Sequence, residues 1–452
     1  MEERKENKMG FWPIPKLLIS MSLPIMTSML IQALYNVVDS IFVAKLSQDA
    51  LTAVSLAFPV QNLMIAVGVG TAVGVNALLA RRLGEKKFDE ANLVAVNGIF
   101  LAVISALAFA LFGFFGVKAF FSAFVDEGAV MQMGIQYTSI VSIWSFGIFI
   151  SVIGERLLQA TGITIYCMYA QIAGALTNII LDPIMIFGLL GCPKMGVAGA
   201  AYATIIGQFV GMGLNVWFNI SKNHEITISF KGFKPSGRII GEIYRVGLPS
   251  IFMQAIGSVM VFGMNKILIA FTETAVTVFG VYFKLQSFIF MPIIGLTNGM
   301  VPIVGYNFGA KNRKRITDTM KLAAMLASGI MAVGMAIFNL MPEFLLVRLF
   351  EADAEMLSIG VPALRIISTH FIIAATAIVL SSSFQALGKG IYSLIMSFSR
   401  QLIVLLPAAW VLGKFVSLNA LWFAFPIAEV VSLGMALVLF KRVYEREIKH
   451  LN

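Results

Sequence analysis

Runs of mostly apolar residues follow one another along the whole chain, separated by short polar intervals. A helix needs about 20 such residues to cross a bilayer core of roughly 30 Å. Twelve runs reach this length, at 17–43, 51–79, 92–115, 132–154, 163–190, 196–219, 243–271, 275–304, 318–342, 361–386, 391–413 and 419–440. The intervals leave no room for a soluble domain, so the pattern predicts twelve transmembrane helices.

The composition excludes the main alternative, a soluble enzyme. Of 452 residues, 59% are apolar and 12% are charged, whereas about 25% of the residues of an ordinary soluble domain are charged. Cys167 and Cys192, with the scattered His224, His370 and His450, give no spacing for a metal site or a disulfide framework. We therefore predict an all-α integral membrane protein that is not an enzyme and has no cofactor.

The basic residues predict an orientation. The chain has 33 basic and 23 acidic residues, a formal net charge of +10. With twelve spans both termini lie on one side, which carries 24 of the basic residues against 6 on the other and 3 within spans. Because basic loops remain in the cytoplasm, we expect a multi-pass protein of the cell membrane with both termini cytoplasmic. This placement accounts for the net charge without a nucleic-acid partner. The N-terminal segment lacks a cleavable signal pattern, so the first span is expected to be retained.

The chain contains an internal repeat. A shift of 225 residues superimposes Leu23-Pro24 on Leu248-Pro249, Phe58 on Phe283, Gln61 on Gln286, Gly70 on Gly295, Gly74 on Gly299, Gly84 on Gly309 and Lys86 on Lys311. A shift of 226 superimposes 159–162 on 385–388, and a shift of 221 superimposes Ala203 on Ala424 and Gln208 on Glu429. Ordered matches of this kind indicate a duplicated six-helix unit, with halves related by a pseudo-two-fold axis along the membrane normal.

The repeat predicts the domain organisation. We expect a cytoplasmic segment at 1–16, an N-lobe at 17–220, a cytoplasmic linker at 221–242, a C-lobe at 243–440 and a cytoplasmic tail at 441–452. Such an arrangement leaves a cavity between two lobes, where a substrate could be exposed to each side in turn. A duplicated bundle without a transport role is the simpler alternative.

Three carboxylates, Asp39, Asp182 and Glu429, lie well inside predicted spans, where a buried charge is costly and marks a candidate functional group. Three helices supply two carboxylates, an amide oxygen and a hydroxyl, from Asp39, Asn178, Asp182 and Thr204. Hard cations prefer such oxygen ligands, so the set would suit Na⁺; close carboxylates also repel, so the pair could bind protons instead. The alternative is that Asp182 only caps or kinks its helix at Pro183 and that Asp39 lies near the membrane surface.

The acidic set is absent from the second half of the repeat. Asp39 maps onto Met264, Asp182 onto the Leu405-Leu406 region and Thr204 onto Phe425. This asymmetry favours a cation site over a role in folding alone. Glu429 is a weaker candidate, since it could contact Arg400 or a backbone group. Lys284, Arg365 and His370 are expected to be structural or cavity-wall residues; whether Glu429 or His370 takes part in coupling stays open.

Further residues are candidates for a substrate cavity. They are Gln32, Tyr35, Asn36, Phe58, Gln61, Met64, Met253 and Met260. Flexible Met side chains can repack around dissimilar ligands, which suits a polyspecific exporter. Pro24 predicts a kink fifteen residues before Asp39. It could act as a hinge that responds to cation binding, or as a static kink.

Several motifs resemble a known family. The stretches SLPIMTSMLIQALYNVVDSIFVAKL, ARRLGEKK, LQATG, NIILDPIMIFG and GVAGAAYATIIGQ are similar to those of multidrug and toxic compound extrusion (MATE) transporters, in particular the bacterial MepA-type branch. The resemblance covers essentially the whole chain. It implies a twelve-helix exporter with a V-shaped cleft that expels lipophilic cationic drugs and dyes by antiport with Na⁺ or H⁺.

The resemblance also implies roles for residues. The family's N-lobe cation site carries over to Asp39, Asn178, Asp182 and Thr204, its cavity position to Gln32 and its hinge to Pro24. Some branches have a second acidic site on helix 7, where this chain has only Gln254 and Ala255.

The substrate, the function class and the coupling ion stay open at this point. We expect a monomer in contact with membrane lipids, with drug-like organic cations as substrates. A flippase for lipids or lipid-linked sugars is the alternative function, and it would need several basic residues along the cavity. A membrane enzyme or a channel is a further alternative, and the sequence does not choose between Na⁺ and H⁺.

Overall fold

The computed structural model describes residues 6–125 and 127–451, without the side chains at positions 36, 37, 40 and 44. Within these ranges the chain forms helices and loops and no β-strand. Ten long helices are apolar enough to span a membrane, and two bent pairs of shorter helices raise the number to twelve. The predicted all-α architecture of twelve spans is therefore confirmed.

The first six spans follow the duplicated unit closely. They are α1 (Ile14–Ala44), α2 (Gln48–Gly84), α3 (Phe88–Phe115), the pair α4a (Ala129–Ile143) and α4b (Phe146–Ala160), α5 (Ile165–Phe187) and α6 (Val197–Ser221). Short helices at Lys8–Phe11 and Val117–Ser122 lie between them. Several helices exceed the predicted bounds because they continue into charged residues past the apolar run. The last turn of α2, for example, contains Arg81 and Arg82.

The second six spans repeat this order. They are α7 (Gly237–Leu268), α8 (Glu273–Gly309), α9 (Arg313–Leu340), the pair α10a (Ala354–Ser368) and α10b (Phe371–Ala386), α11 (Gly390–Phe415) and α12 (Ala424–Val443). A short helix at Pro342–Phe350 precedes α10a. Part of α11, Ser399–Leu405, has π-helical hydrogen bonding.

Two predicted spans, 132–154 and 361–386, are not single straight helices. α4a and α4b meet at 44°, and α10a and α10b meet at 50°. The breaks fall at Trp144-Ser145 and at Thr369-His370, which correspond by the repeat. Apolarity alone does not show such a bend because the run of apolar residues continues through it.

The described chain forms two compact units that differ from a simple division at the middle. One unit contains Thr27–Ile251 with the segment up to Phe11, and the other contains Trp12–Met26 with the chain from Phe252 onward. Thus α1 and α7 each contribute to both units, and each changes unit two residues after a proline, Pro24 or Pro249. The division into an N-lobe and a C-lobe at the bounds given above stays a prediction.

Glycines allow the segments of α1 and α7 that lie in the other half's unit to pack closely against it. In the first unit, a Cβ atom on Gly70 would lie 2.8 Å from the backbone nitrogen of Ile251 on α7. In the second unit, a Cβ atom on Gly299 would lie 2.8 Å from Cα of Ser22 on α1. The Ser22 hydroxyl also donates to the carbonyl of Leu296 at 3.1 Å. Small residues permit such backbone approach in membrane helices. Both halves of the repeat therefore have glycine on α2 and α8 where segments of α7 and α1 pack against them.

A cluster of charges holds the ends of α2, α3 and α7 together. Arg82 pairs with Glu85 at 2.7 Å, with Glu90 at 2.9 Å and with Glu242 at 2.5 Å. Burial alone would raise the pKa of Glu85, but hydrogen bonds from Arg82 and two other basic neighbours lower it below its ordinary value. The cluster lies at the end of the unit that carries the basic ARRLGEKK segment.

Candidate functional site

The carboxyl groups of Asp39 on α1 and Asp182 on α5 lie in hydrogen-bond contact. Asp182 is fully buried and Asp39 is partly buried. Two carboxyl oxygens attract each other only when a proton lies between them or a cation neutralises them, because two negative charges in a low dielectric repel strongly. The remaining Oδ1 atom of each group has no hydrogen-bond partner among the described residues. A shared proton or a bound cation would stabilise this contact.

The side-chain amide of Asn178 connects this pair to α6. Its nitrogen donates to Asp182 Oδ2 at 3.0 Å, and its oxygen accepts from the backbone N–H of Thr204 at 3.0 Å. In the opposite orientation the amide nitrogen would lie 3.3 Å from the Thr204 hydroxyl, but the amide oxygen would face the carboxylate. The first orientation satisfies both atoms, so we adopt it.

A glycine contact places α6 against α5 at this level. A Cβ atom on Gly207 would lie 2.7 Å from the carbonyl oxygen of Gly174 and 3.1 Å from Cβ of Asn178. Neither helix could come this close with a larger residue at either glycine. The contact brings Thr204, one turn before Gly207, within reach of the α5 polar residues. The four residues predicted to form a cation site are therefore adjacent.

Two tyrosines border the acidic pair. The Tyr35 hydroxyl is hydrogen-bonded to the Thr204 side chain, and Tyr35 interacts electrostatically with both carboxyls. Tyr137 on α4a is 3% exposed, accepts a hydrogen bond from Gln61 Nε2 at 3.0 Å and interacts with Asp39. Sequence reasoning placed Tyr35 among cavity residues and missed Tyr137. The only signal for Tyr137 was a hydroxyl-bearing residue within an apolar run.

The other predicted cavity residues are divided between the two units. Gln32 is partly buried, Phe58 is 61% exposed and Met64 is only 2% exposed. Met253 and Met260 lie on the part of α7 that belongs to the second unit. The side chain of Asn36 lies outside the described residues. These residues stay predictions, as does the hinge at Pro24, which lies inside α1.

The surroundings of Asp182 test the alternative that this residue only caps or kinks its helix at Pro183. α5 continues beyond Pro183 to Phe187 and ends at Gly188 in the left-handed conformation that closes many helices. Asp182 therefore does not cap the helix, and its partners, Asn178 and Asp39, include a residue of another helix.

The donor set suits a proton or a monovalent cation. Two carboxylates and a hydroxyl supply oxygen ligands, and the Asn178 amide nitrogen orients one of the carboxylates. Among the described residues, no group of three or more His, Cys, Asp or Glu side chains could hold a metal ion. If Na⁺ binds here, Asp39, Asp182 and Thr204 supply charged and hydroxyl oxygens.

The second unit contains a different buried group. Arg400 Nη1 pairs with Glu429 Oε2 at 3.0 Å, and Glu429 is 3% exposed. His370 is buried beside this pair, whereas Lys284 and Arg365 are exposed. Glu429 thus forms an ion pair with Arg400, which is one of the two contacts expected from the sequence. In the Asp39–Asp182 pair, by contrast, both groups are carboxyls.

Comparison with known proteins gives the family. The MatE family model matches residues 24–184 and 249–411. These segments start 225 residues apart, the same offset as the sequence repeat.

Relatives and solved structures match over nearly the whole chain. The multidrug export protein MepA of Staphylococcus haemolyticus is 26% identical over 94% of this chain and 92% of its own length. A structure described as the outward-facing conformation of a multidrug resistance MATE family transporter superimposes with a TM-score of 0.92 at 26% identity, covering 99% of this chain and 100% of that one. A MATE structure in complex with MaL6 gives 0.92 at 27% identity, covering 99% of each. The chain belongs to the MatE family of multidrug efflux transporters, and it is a multi-pass membrane transporter rather than an enzyme.

Proposed function

We propose that the protein is a secondary active exporter that moves lipophilic cationic drugs and dyes outward in exchange for inward Na⁺ or H⁺. The observation that carries this proposal is the buried contact between Asp39 and Asp182. A site that needs one positive charge to be stable can couple the uptake and release of a cation to a change of conformation. The names of the relatives support drug-like organic molecules as substrates.

Alternating access of a central cleft between the two halves is the proposed transport mode. Pro24 lacks a backbone N–H and permits α1 to bend, and α1 changes unit just after Pro24. In this scheme a change of charge at Asp39, on the same helix, alters the bend. We propose that the transporter works as a monomer in contact with membrane lipids.

The alternative of a flippase for lipids or lipid-linked sugars needs basic residues that are free to bind phosphate. Arg400 is paired with Glu429 at 3.0 Å, and Arg365 Nε donates to the carbonyl of Asn339 at 3.3 Å. The positive charge of Arg400 is thereby neutralised. These contacts favour antiport of organic cations.

Gradient-driven dye movement tests the proposed function. Purified protein in liposomes should move ethidium when a Na⁺ gradient or a pH gradient is imposed, and should not do so without a gradient. Comparing the two gradients at equal size identifies the coupling ion. Dye movement that responds to neither gradient would contradict antiport.

The proposed location is the cell membrane with both termini in the cytoplasm, and native cysteines test it. Cys192 lies partly exposed in the loop between α5 and α6, which this orientation places outside the cell, whereas Cys167 is 1% exposed. A membrane-impermeant maleimide should label intact cells that express the protein, and Cys192→Ser should remove the label. Labelling of Cys192 only after cell lysis would reverse the orientation.

A further inference from the structure

A row of polar side chains runs along one face of α6, from the acidic site to the far end of the helix. We call it the α6 polar row; its members are Thr204, Gln208, Asn215, Asn219 and Asn223. Spacings of four, seven, four and four residues keep them on one helical face. All but Gln208 are at most 6% exposed, and the last member lies just past the end of the helix. An apolar span therefore carries a polar stripe in its interior, with a gap of two turns between Gln208 and Asn215. In this gap a Cβ atom on Gly211 would lie 3.6 Å from the Ser151 hydroxyl.

The row faces α4b along its length. Asn215 Nδ2 donates to the Ser151 hydroxyl at 3.0 Å, and Asn219 Nδ2 donates to the carbonyl of Gly154 at 2.8 Å. Asn223 Nδ2 in turn donates to Asn219 Oδ1 at 3.1 Å. The amide nitrogens are thus used by protein partners, whereas several of the amide oxygens are not.

The unpaired oxygens follow the row. Among the described residues, one side-chain oxygen has no hydrogen-bond partner in each of Asp182, Gln208, Asn215 and Asn223. Buried polar atoms nearly always have a partner, and ordered water serves where no protein atom does. Each of these oxygens can accept a hydrogen bond from a water molecule, and the four are distributed from the acidic pair to the end of α6.

The close packing of α4b on α6 restricts what could pass. A Cβ atom on Gly147 would lie 3.2 Å from Cβ of Gln208, and one on Gly154 would lie 3.1 Å from Cβ of Asn215. At any one level the row offers a single amide oxygen, which cannot replace the hydration shell of Na⁺. A single file of water needs only one such oxygen at each level. The geometry points to protons and not to sodium ions.

The repeat shows that this packing does not require polar residues. A shift of 221 replaces the row by Phe425, Glu429, Ala436, Phe440 and Tyr444 on and after α12. None of these positions carries an amide, and the second, Glu429, forms an ion pair with Arg400. The same half of the protein therefore contains both the acidic pair and the polar row.

Charged groups flank the row at both ends. Asp39 and Asp182 lie at one end, and Glu155 follows Gly154 on α4b at the other. Gln159 Nε2 donates to Glu155 Oε1 at 2.7 Å. The same Gln159 side chain accepts from Arg156 Nη1 at 2.8 Å, and the charges of Arg156 and Glu155 interact with each other. The thiol of Cys167 contacts the carbonyl of Glu155 at 3.4 Å.

We propose that the α6 polar row is a water-lined route by which a proton leaves the Asp39–Asp182 pair toward the cytoplasm. The carboxyl gives its proton to a neighbouring water, each water passes one proton on as it accepts another, and the last water releases a proton at the cytoplasmic end of the row. No other bond in the protein is made or broken. The inference rests on the proposed antiport and identifies its coupling ion as H⁺.

Blocking the middle of the row tests the route. Asn215→Leu replaces an amide by an apolar side chain of similar size. In liposomes loaded with pyranine, an imposed ethidium gradient should drive proton movement by the unmodified protein. Asn215→Leu should slow this movement by about an order of magnitude and leave ethidium binding unchanged. Val216→Leu, on the exposed face of the same turn, is the matched control and should behave like the unmodified protein.

The controls separate a route from simple packing. Ser151→Ala removes a partner of Asn215 but keeps the amide, so proton movement should persist even if the melting temperature falls. Full proton movement in Asn215→Leu would overturn the proposal; if that variant does not fold, full movement in Gln208→Leu would do the same. Ethidium movement without protons in the unmodified protein would also overturn the route. Antiport itself would then survive only if Na⁺ moves instead, and fail if neither ion moves.

Discussion

Asp182→Asn is expected to reduce gradient-driven ethidium transport strongly while the protein still folds. The substitution keeps the shape of the side chain but removes the charge that attracts a proton or cation. A hydrogen bond to a charged group contributes about 1.5–3 kcal/mol, and each 1.4 kcal/mol corresponds to roughly a tenfold change in an equilibrium constant. We therefore expect transport to fall by at least about tenfold in proteoliposomes under either an imposed Na⁺ gradient or a pH gradient.

Matched variants make this result specific. Asp39→Asn should cause a similar loss, and the double variant should lose little more because the two carboxyls act as one site. Asp49→Asn makes the same chemical change at an exposed residue in the first turn of α2 and should transport normally. Full transport in both Asp39→Asn and Asp182→Asn would exclude this site from coupling.

The second large effect is expected at Gly207, where α5 and α6 touch. Gly207→Val places side-chain atoms against the carbonyl of Gly174 and the side chain of Asn178, since a Cβ atom alone would lie 2.7 and 3.1 Å from them. Overpacking of this kind costs about 1–3 kcal/mol. The melting temperature in detergent should fall, and transport should fall further because Asn178 can no longer connect Asp182 with Thr204.

Gly213→Val is the matched control on the same helix. A Cβ atom at Gly213 would meet no atom within 4 Å, so its free energy of unfolding should change by no more than about 0.5 kcal/mol. Equal effects of valine at both glycines would show that α6 responds to loss of glycine in general. The close contact at Gly207 would then have no special role.

The sequence predicted the membrane architecture well because apolar length and basic loops are direct physical requirements of a bilayer. The bends at Trp144-Ser145 and Thr369-His370 could not be predicted, since neither break contains a proline or glycine. The exchange of helix segments at Pro24 and Pro249 was also not predicted. It depends on contacts such as Gly299 with Ser22, which a linear pattern does not show.

The candidate site could be predicted in part. Asp39 and Asp182 were identified because a carboxylate within a span is costly, and Asn178 because it precedes Asp182 by one turn. Tyr137 was missed because a tyrosine in an apolar helix has many roles. The α6 polar row was visible in its spacing, but only the structure showed that its oxygens are buried and unpaired.

The central claim is that the Asp39–Asp182 pair carries the coupling ion, and dye-driven ion movement tests it most directly. An imposed ethidium gradient across proteoliposomes should drive H⁺ or Na⁺ in the opposite direction with the unmodified protein. In Asp39→Asn and Asp182→Asn the opposing ion movement should be absent even where ethidium still binds. Ion movement that persists undiminished in both variants would contradict the account.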